Sequence, residues 1–191
     1  MIYLPPPAMT GQQKRRGFNL IEAAIVLGVV GLVIGGIWAA ASAVNQKLAI
    51  SRDYQLILSA VAKARELSAG QSGNITWNGT TAVASGIFPE NLLKGSTVYS
   101  NTGASVIIQY LGGLPPSLID VALYEFPTKT ACIELGPRLS TVPNIVGMTI
   151  ANEAWGETFF DIEASGPVTP KQIASLLSSS SICNELRVAF R

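Results

Sequence analysis

The chain contains no histidine. This removes the side chain most used as a general base near neutral pH, for activating nucleophiles and for ligating metals. Cysteine is nearly absent as well: Cys132 and Cys183 are the only two in 191 residues. A thiolate zinc site would need carboxylates to complete it, so neither a metal nor another cofactor is implied. Charge is scarce, with 13 Lys+Arg against 12 Asp+Glu and a formal net charge of +1. No field of one sign is present to draw in nucleic acid or an anionic surface. Proline is missing between Pro7 and Pro89, which leaves room for a long unbroken helix.

What the sequence has is concentrated near its start. Lys14, Arg15, Arg16 and Gly17 lead through Phe18, Asn19, Leu20 and Ile21 to Glu22, and an apolar run follows from Ala23 to Val44. Roughly 20 apolar residues suffice to cross a bilayer, and the basic cluster reads as a cytoplasmic flank. Met1 to Arg16 is proline-rich, polar and basic, and has nothing to build a core. At 191 residues the chain holds one ordinary domain beyond a membrane segment.

Glu22 is the anomaly. A carboxylate in lipid costs roughly 2.5–3.5 kcal/mol on insertion scales, and the apolar run contains no cation to pair with it. A cleaved secretory signal, with Ala41-Ser42-Ala43 as its processing site, accounts for neither the length of the run nor the charge. A plain single-pass anchor explains the length and the basic flank but not the carboxylate. An anchor that later packs against copies of itself explains all three, because Glu22 then finds its partner on another chain. Gly28, Gly31, Gly35 and Gly36 point the same way, with Gly31 and Gly35 forming a G-x-x-x-G that lets helix backbones approach closely.

Beyond Val44, Ile50, Tyr54, Ile57, Val61 and Ala64 recur at helical spacing, while Lys47, Asp53, Gln55, Lys63 and Glu66 fall largely elsewhere. Gly70 is the expected stop. The pattern predicts one helix over about 18–69, apolar all round in its first half and amphipathic in its second. At about 1.5 Å per residue it spans near 75 Å.

From Gly70 onward, turn residues separate β-prone pieces at Asn74–Trp77, Thr97–Ser100, Ser105–Leu111, Val121–Phe126, Asn144–Ile150, Phe159–Ile162 and Glu185–Phe190. Short helices are expected over Thr128–Leu139 and Thr169–Ser180, the second opening with Pro170 at the favoured first position. The fold class is therefore α+β, a long N-terminal helix packed on an antiparallel sheet. Two cysteines beyond a membrane segment fit one disulfide in an exported domain, with free buried thiols in a cytoplasmic protein as the alternative.

Gly17-Phe18-Asn19-Leu20-Ile21-Glu22, with its basic flank and apolar helix, resembles the prepilin motif of type IV pilins and related pseudopilins. The resemblance implies cleavage after Gly17 by a dedicated prepilin peptidase, and N-methylation of the new terminal residue, Phe18. The family's glutamate, five residues into the mature protein, falls on Glu22. Phe126 to Leu135, Thr169-Pro170 and Cys183-Asn184 loosely resemble the type IVb branch, particularly thin-pilus prepilins of conjugative and mobile elements. The 17-residue leader is short for the type IVb group, and Phe18 is the residue more usual in type IVa pilins. The implied organisation is a cleaved leader at 1–17, a transmembrane and filament-core half-helix at 18–44, and a pilin head at 45–191 that includes the amphipathic half of the helix. A Cys132–Cys183 disulfide would delimit the family's surface-exposed C-terminal region.

The expected role is non-enzymatic: a structural subunit inserted in the bacterial inner membrane as prepilin, then polymerised with itself into an extracellular pilus. Adhesion, aggregation or conjugative mating would follow from that assembly. Its partners would be other copies of the chain, the peptidase, the inner-membrane assembly machinery and, before assembly, the membrane. Nucleic acid is not among them, since Lys and Arg outside the leader are scattered. A minor pilin or type II secretion pseudopilin is the nearest alternative, and a membrane-anchored periplasmic enzyme or binding protein the next. Weaker signals read as structural. Asn74-Ile75-Thr76 and Asn78-Gly79-Thr80 match glycosylation sequons but sit among turn residues. Glu153, Glu157, Asp161 and Glu163 read as solvated charges in place of a cation site, and Ser178–Ser181 as a helix-ending turn.

Overall fold

A computed structural model describes residues 20–112, 117–152, 156–178 and 183–191. The chain divides between Ser42 and Ala43 into an N-terminal unit and a C-terminal unit that holds the sheet. Helix α1 (Leu20–Ser68, 49 residues) belongs to both. It ends where expected: Gly70 takes φ +81, a left-handed conformation that costs glycine little. Tyr110 donates to the Gln71 carbonyl at 3.0 Å and ties the following turn to the sheet.

The C-terminal half of α1 buries Ile50, Ile57, Ala60, Val61 and Ala64. They join one core with inward residues of the antiparallel sheet, including Val98, Val106, Ile108, Val121, Leu123, Val188 and Phe190. Each Val, Leu, Ile or Phe among them contributes roughly 1.5–3 kcal/mol on burial. The strands are β1 (Ile75–Trp77), β2 (Leu93–Lys94), β3 (Thr97–Tyr99), β4 (Ser105–Leu111), β5 (Leu118–Tyr124), β6 (Ile145–Asn152), β7 (Gly156–Asp161) and β8 (Glu185–Phe190). They run in the order β2-β3-β4-β5-β8-β6-β7, with β1 paired to β4. The C-terminal strand β8 thus lies mid-sheet between β5 and β6, and its alternation puts Leu186, Val188 and Phe190 in the core.

Helix α2 (Gly79–Ala84) follows β1, α3 (Lys129–Ser140) follows β5, and α4 (Ile162–Ser165) and α5 (Pro170–Leu176) precede β8. Thr169 and Gln172 form a reciprocal capping box at the start of α5, with Pro170 inside the first turn. The buried Ser140 hydroxyl accepts from the Val168 amide at 3.0 Å and so fastens that approach to the end of α3. Cys132 on α3 and Cys183 just before β8 are joined in a disulfide, and both are fully buried.

Four local expectations are corrected. The strand expected at Val121–Phe126 is Leu118–Tyr124, because Glu125 takes φ +57 and its amide and that of Phe126 turn to the Asn184 and Cys183 carbonyls. The strand expected at Phe159–Ile162 is Gly156–Asp161, because the Asp161 carboxylate accepts from the Ala164 amide and caps α4. Helix α5 ends at Leu176, short of Ser180. The fourth concerns Asp53, grouped with the polar residues that fall largely off the apolar face of α1 but in fact fully buried.

Asp53 accepts four hydrogen bonds from the turn between β3 and β4. The Asn101 amide (2.5 Å) and side-chain nitrogen (2.8 Å) reach one oxygen; the Thr102 amide (2.9 Å) and hydroxyl (2.6 Å) reach the other. A buried carboxylate is tolerated when its lone pairs are used in this way. Asp53→Ala is expected to strand two backbone donors and lower head stability by about 3 kcal/mol. Denaturant titration of the oxidised protein checks this, and an unchanged midpoint would refute the clamp.

Candidate functional site

Every large apolar side chain of α1 from Leu20 to Val44 is exposed in the single chain, from 45% at Val30 to 84% at Leu20. Monomeric soluble proteins rarely leave such an expanse uncovered. The helix is long and apolar enough to cross a membrane, with a mean hydropathy of 2.5 over its most apolar window. Gly28, Gly31, Gly35 and Gly36 have open space where a Cβ would stand, so nothing within the single chain requires them. Glu22 lies exposed in the first turn, where the helix dipole favours a negative charge. Among the described residues no cation pairs with it. Gly17 and Phe18 lie outside the described residues.

The smaller sequence signals resolve into structural roles. Asn78 caps α2, its side chain accepting from the Thr81 amide, and a Cβ at Gly79 would collide with the Ser96 carbonyl oxygen. Glu163 pairs with Arg191 at 2.8 Å, Asp161 caps α4, and Glu157 is exposed. The Ser178 hydroxyl donates to the Ser175 carbonyl at 2.8 Å. Glu153 and Ser179 to Ser181 lie outside the described residues. Among the described residues no three His, Cys, Asp or Glu side chains gather in a way that could hold a metal ion.

A cluster on the sheet face away from α1 escaped the sequence reading. Asp120 on β5 and Arg187 on β8 are brought together by the β5–β8 pairing, with Arg187 Nε 3.6 Å from Asp120 Oδ2. The guanidinium also donates to the Tyr124 hydroxyl at 3.1 Å and lies 2.7 Å from Glu185 Oε1. That last contact is made by a terminal guanidinium nitrogen and is not aligned as a hydrogen bond, which leaves Glu185 Oε1 buried without one; Arg187 Nε is buried without one too, because Asp120 lies beyond hydrogen-bond distance. Burial, opposed by Arg187 and reinforced by Glu185, pushes the Asp120 carboxyl up to about 6. The only sequence signal was the outward position of Arg187 between Leu186 and Val188; nothing local marks Asp120.

That shift has a stability consequence. The folded head holds the Asp120 proton more tightly than the unfolded chain does. Its contribution is therefore fully present below about pH 4 and lost as pH rises through about 6. The loss is about 2–3 kcal/mol. Asp120→Asn is expected to abolish this component, so the variant gains on the wild type between pH 4 and pH 7.5. Paired urea titrations at the two pH values test it; parallel changes in both proteins would contradict it.

Comparisons with protein-family models, with characterised proteins and with solved structures found no significant match.

Proposed function

We propose that this chain is a prepilin and that its mature form is the structural subunit of a type IV, IVb-like pilus. One observation carries the reading. A continuous helix presents an exposed apolar half with a single carboxylate in its first turn, then docks its second half on a disulfide-bonded β-sheet head. The first half needs two coverings in succession, lipid before assembly and neighbouring helices after it.

Removal of the leader after Gly17 creates an amine on Phe18, four positions before Glu22. In a helix bundle the Phe18 amine of one subunit neutralises Glu22 of the next. A charge out of register is left buried and unpaired, at a cost of several kcal/mol, so the pair acts mainly as a register device. N-methylation of Phe18 preserves the positive charge and leaves the pairing intact. The heads then coat the filament, with inner membrane and prepilin peptidase as earlier stations.

Shearing the cells and fractionating surface material tests the role. The major-subunit reading predicts that most of the protein is recovered in filaments. Confinement to the inner membrane, or trace amounts in filaments built from another protein, would replace it with a pseudopilin or minor-pilin role.

A further inference from the structure

Two rows of side chains cross the face of the sheet away from α1. One runs Asp120, Ala189, Gly147 over β5, β8 and β6; its neighbour runs Arg187, Thr149, Phe159 over β8, β6 and β7. Ala189 and Gly147 project little or nothing, so the surface sinks between the larger residues. The resulting depression, about 180 Å³, is completed by Leu111 of β4. It is smaller than the roughly 300–1,000 Å³ of sites for drug-sized ligands and suits one ring.

The lining specifies what that ring must offer. Asp120 has 9% of its side chain exposed and accepts no hydrogen bond from the described residues; its nearest cation is the 3.6 Å contact with Arg187. A nine-tenths buried carboxylate that lines a cavity and is held only by a long ion pair keeps lone pairs open to a ligand donor. Arg187, 41% exposed, supplies donors on the same wall, and Thr149 adds a hydroxyl. A ligand cation is opposed by Arg187 and a ligand anion by Asp120. A neutral group that both donates and accepts satisfies the two together, and a hydroxyl does this. Phe159 completes the set. Its ring rests against Gly147, where a Cβ would come within 2.6 Å of it, yet it remains 66% exposed. An aromatic surface held open beside hydroxyl-binding groups suits a ring with one apolar face.

We propose that this depression binds a pyranose sugar, with ring hydroxyls on Asp120, Arg187 and Thr149 and the apolar ring face against Phe159. The site belongs to the head and stands whether or not the chain polymerises.

The test is saturation-transfer difference NMR on the full-length, disulfide-intact chain in phosphocholine micelles, which carry no sugar. The probes are the methyl pyranosides of glucose, galactose, mannose and N-acetylglucosamine, with n-butylammonium and acetate as charged counterparts. At least one pyranoside should receive saturation, and Phe159→Ala and Asp120→Asn should each weaken binding by about tenfold or more. Phe159 is largely exposed and Asn is isosteric with Asp, so both variants keep the fold. A soluble polysaccharide ending in the bound sugar then identifies the source. Displacement assigns the site to glycan ends and no displacement assigns it to free sugar, and either outcome upholds a pyranose site. The proposal is overturned if no pyranoside is saturated at concentrations on the order of 100 mM. Equal signals in wild type and both variants, or preference for butylammonium or acetate, overturn it as well.

Discussion

Glu22→Ala is expected to yield a chain that is processed and inserted in the membrane normally but forms few or no filaments. Removing a carboxylate from an apolar segment makes membrane insertion easier, by roughly 2.5–3.5 kcal/mol on insertion scales. A simple anchor would therefore tolerate or welcome the change. A polymerising helix responds the opposite way, because the Phe18 amine of the neighbouring subunit loses its counter-charge and enters the bundle unpaired. Breaking one side of a buried pair costs about 3–5 kcal/mol, which lowers each incorporation equilibrium by more than 100-fold. Glu22→Gln should fail almost as badly, since an amide accepts a hydrogen bond but neutralises nothing. Quantifying subunit in sheared filaments against subunit in membranes measures the effect. Filament yield equal to wild type would remove the basis for the pairing.

Loss of the disulfide is the second large effect. Cys132 and Cys183 are 51 positions apart, and closing a loop of that length restricts the unfolded chain by about 4 kcal/mol in the chain-entropy account. The bridge joins α3 to the residue that leads into β8, a strand with partners on both sides. Its loss therefore frees the unfolded chain around the middle of the sheet, not around an edge. The Cys132→Ser, Cys183→Ser double variant is expected to melt about 8–16 °C lower than the oxidised protein. Because both cysteines are fully buried, dithiothreitol should reduce the native head slowly and the urea-unfolded head fast. A melting temperature unchanged in the double variant would show that the head does not depend on the bridge.

How far the sequence could be read depended on whether the relevant physics is local. The long helix was legible because Ile50, Ile57, Val61 and Ala64 keep helical spacing and Gly70 supplies a left-handed stop. Ser105–Leu111 and Glu185–Phe190 were legible to the residue, the first as a β-prone run bounded by turn residues and the second by its alternation, both local signals. Asp53 was not, because its partners are backbone amides and side chains 48 and 49 residues away, and a charge on an amphipathic helix ordinarily faces water. The cavity on the outer sheet face was missed for the same reason. Asp120, Arg187, Thr149 and Phe159 come from four strands and meet only through cross-strand register. Helix α2 was read as loop because Gly79, Thr80 and Thr81 carry turn and strand preferences; capping by Asn78 and close packing on Ser96 override them. Glu22 stood out from the sequence alone, as a charge without a partner in an apolar run.

The filament reading rests on what becomes of the first 17 residues, and mass spectrometry of sheared surface filaments addresses it directly. The account predicts an abundant subunit whose N-terminal peptide begins at Phe18, carries one added methyl group on its amine and contains Glu22. A chain that still begins at Met1, or one that begins after Ala43 as secretory-signal cleavage would leave it, would contradict the account.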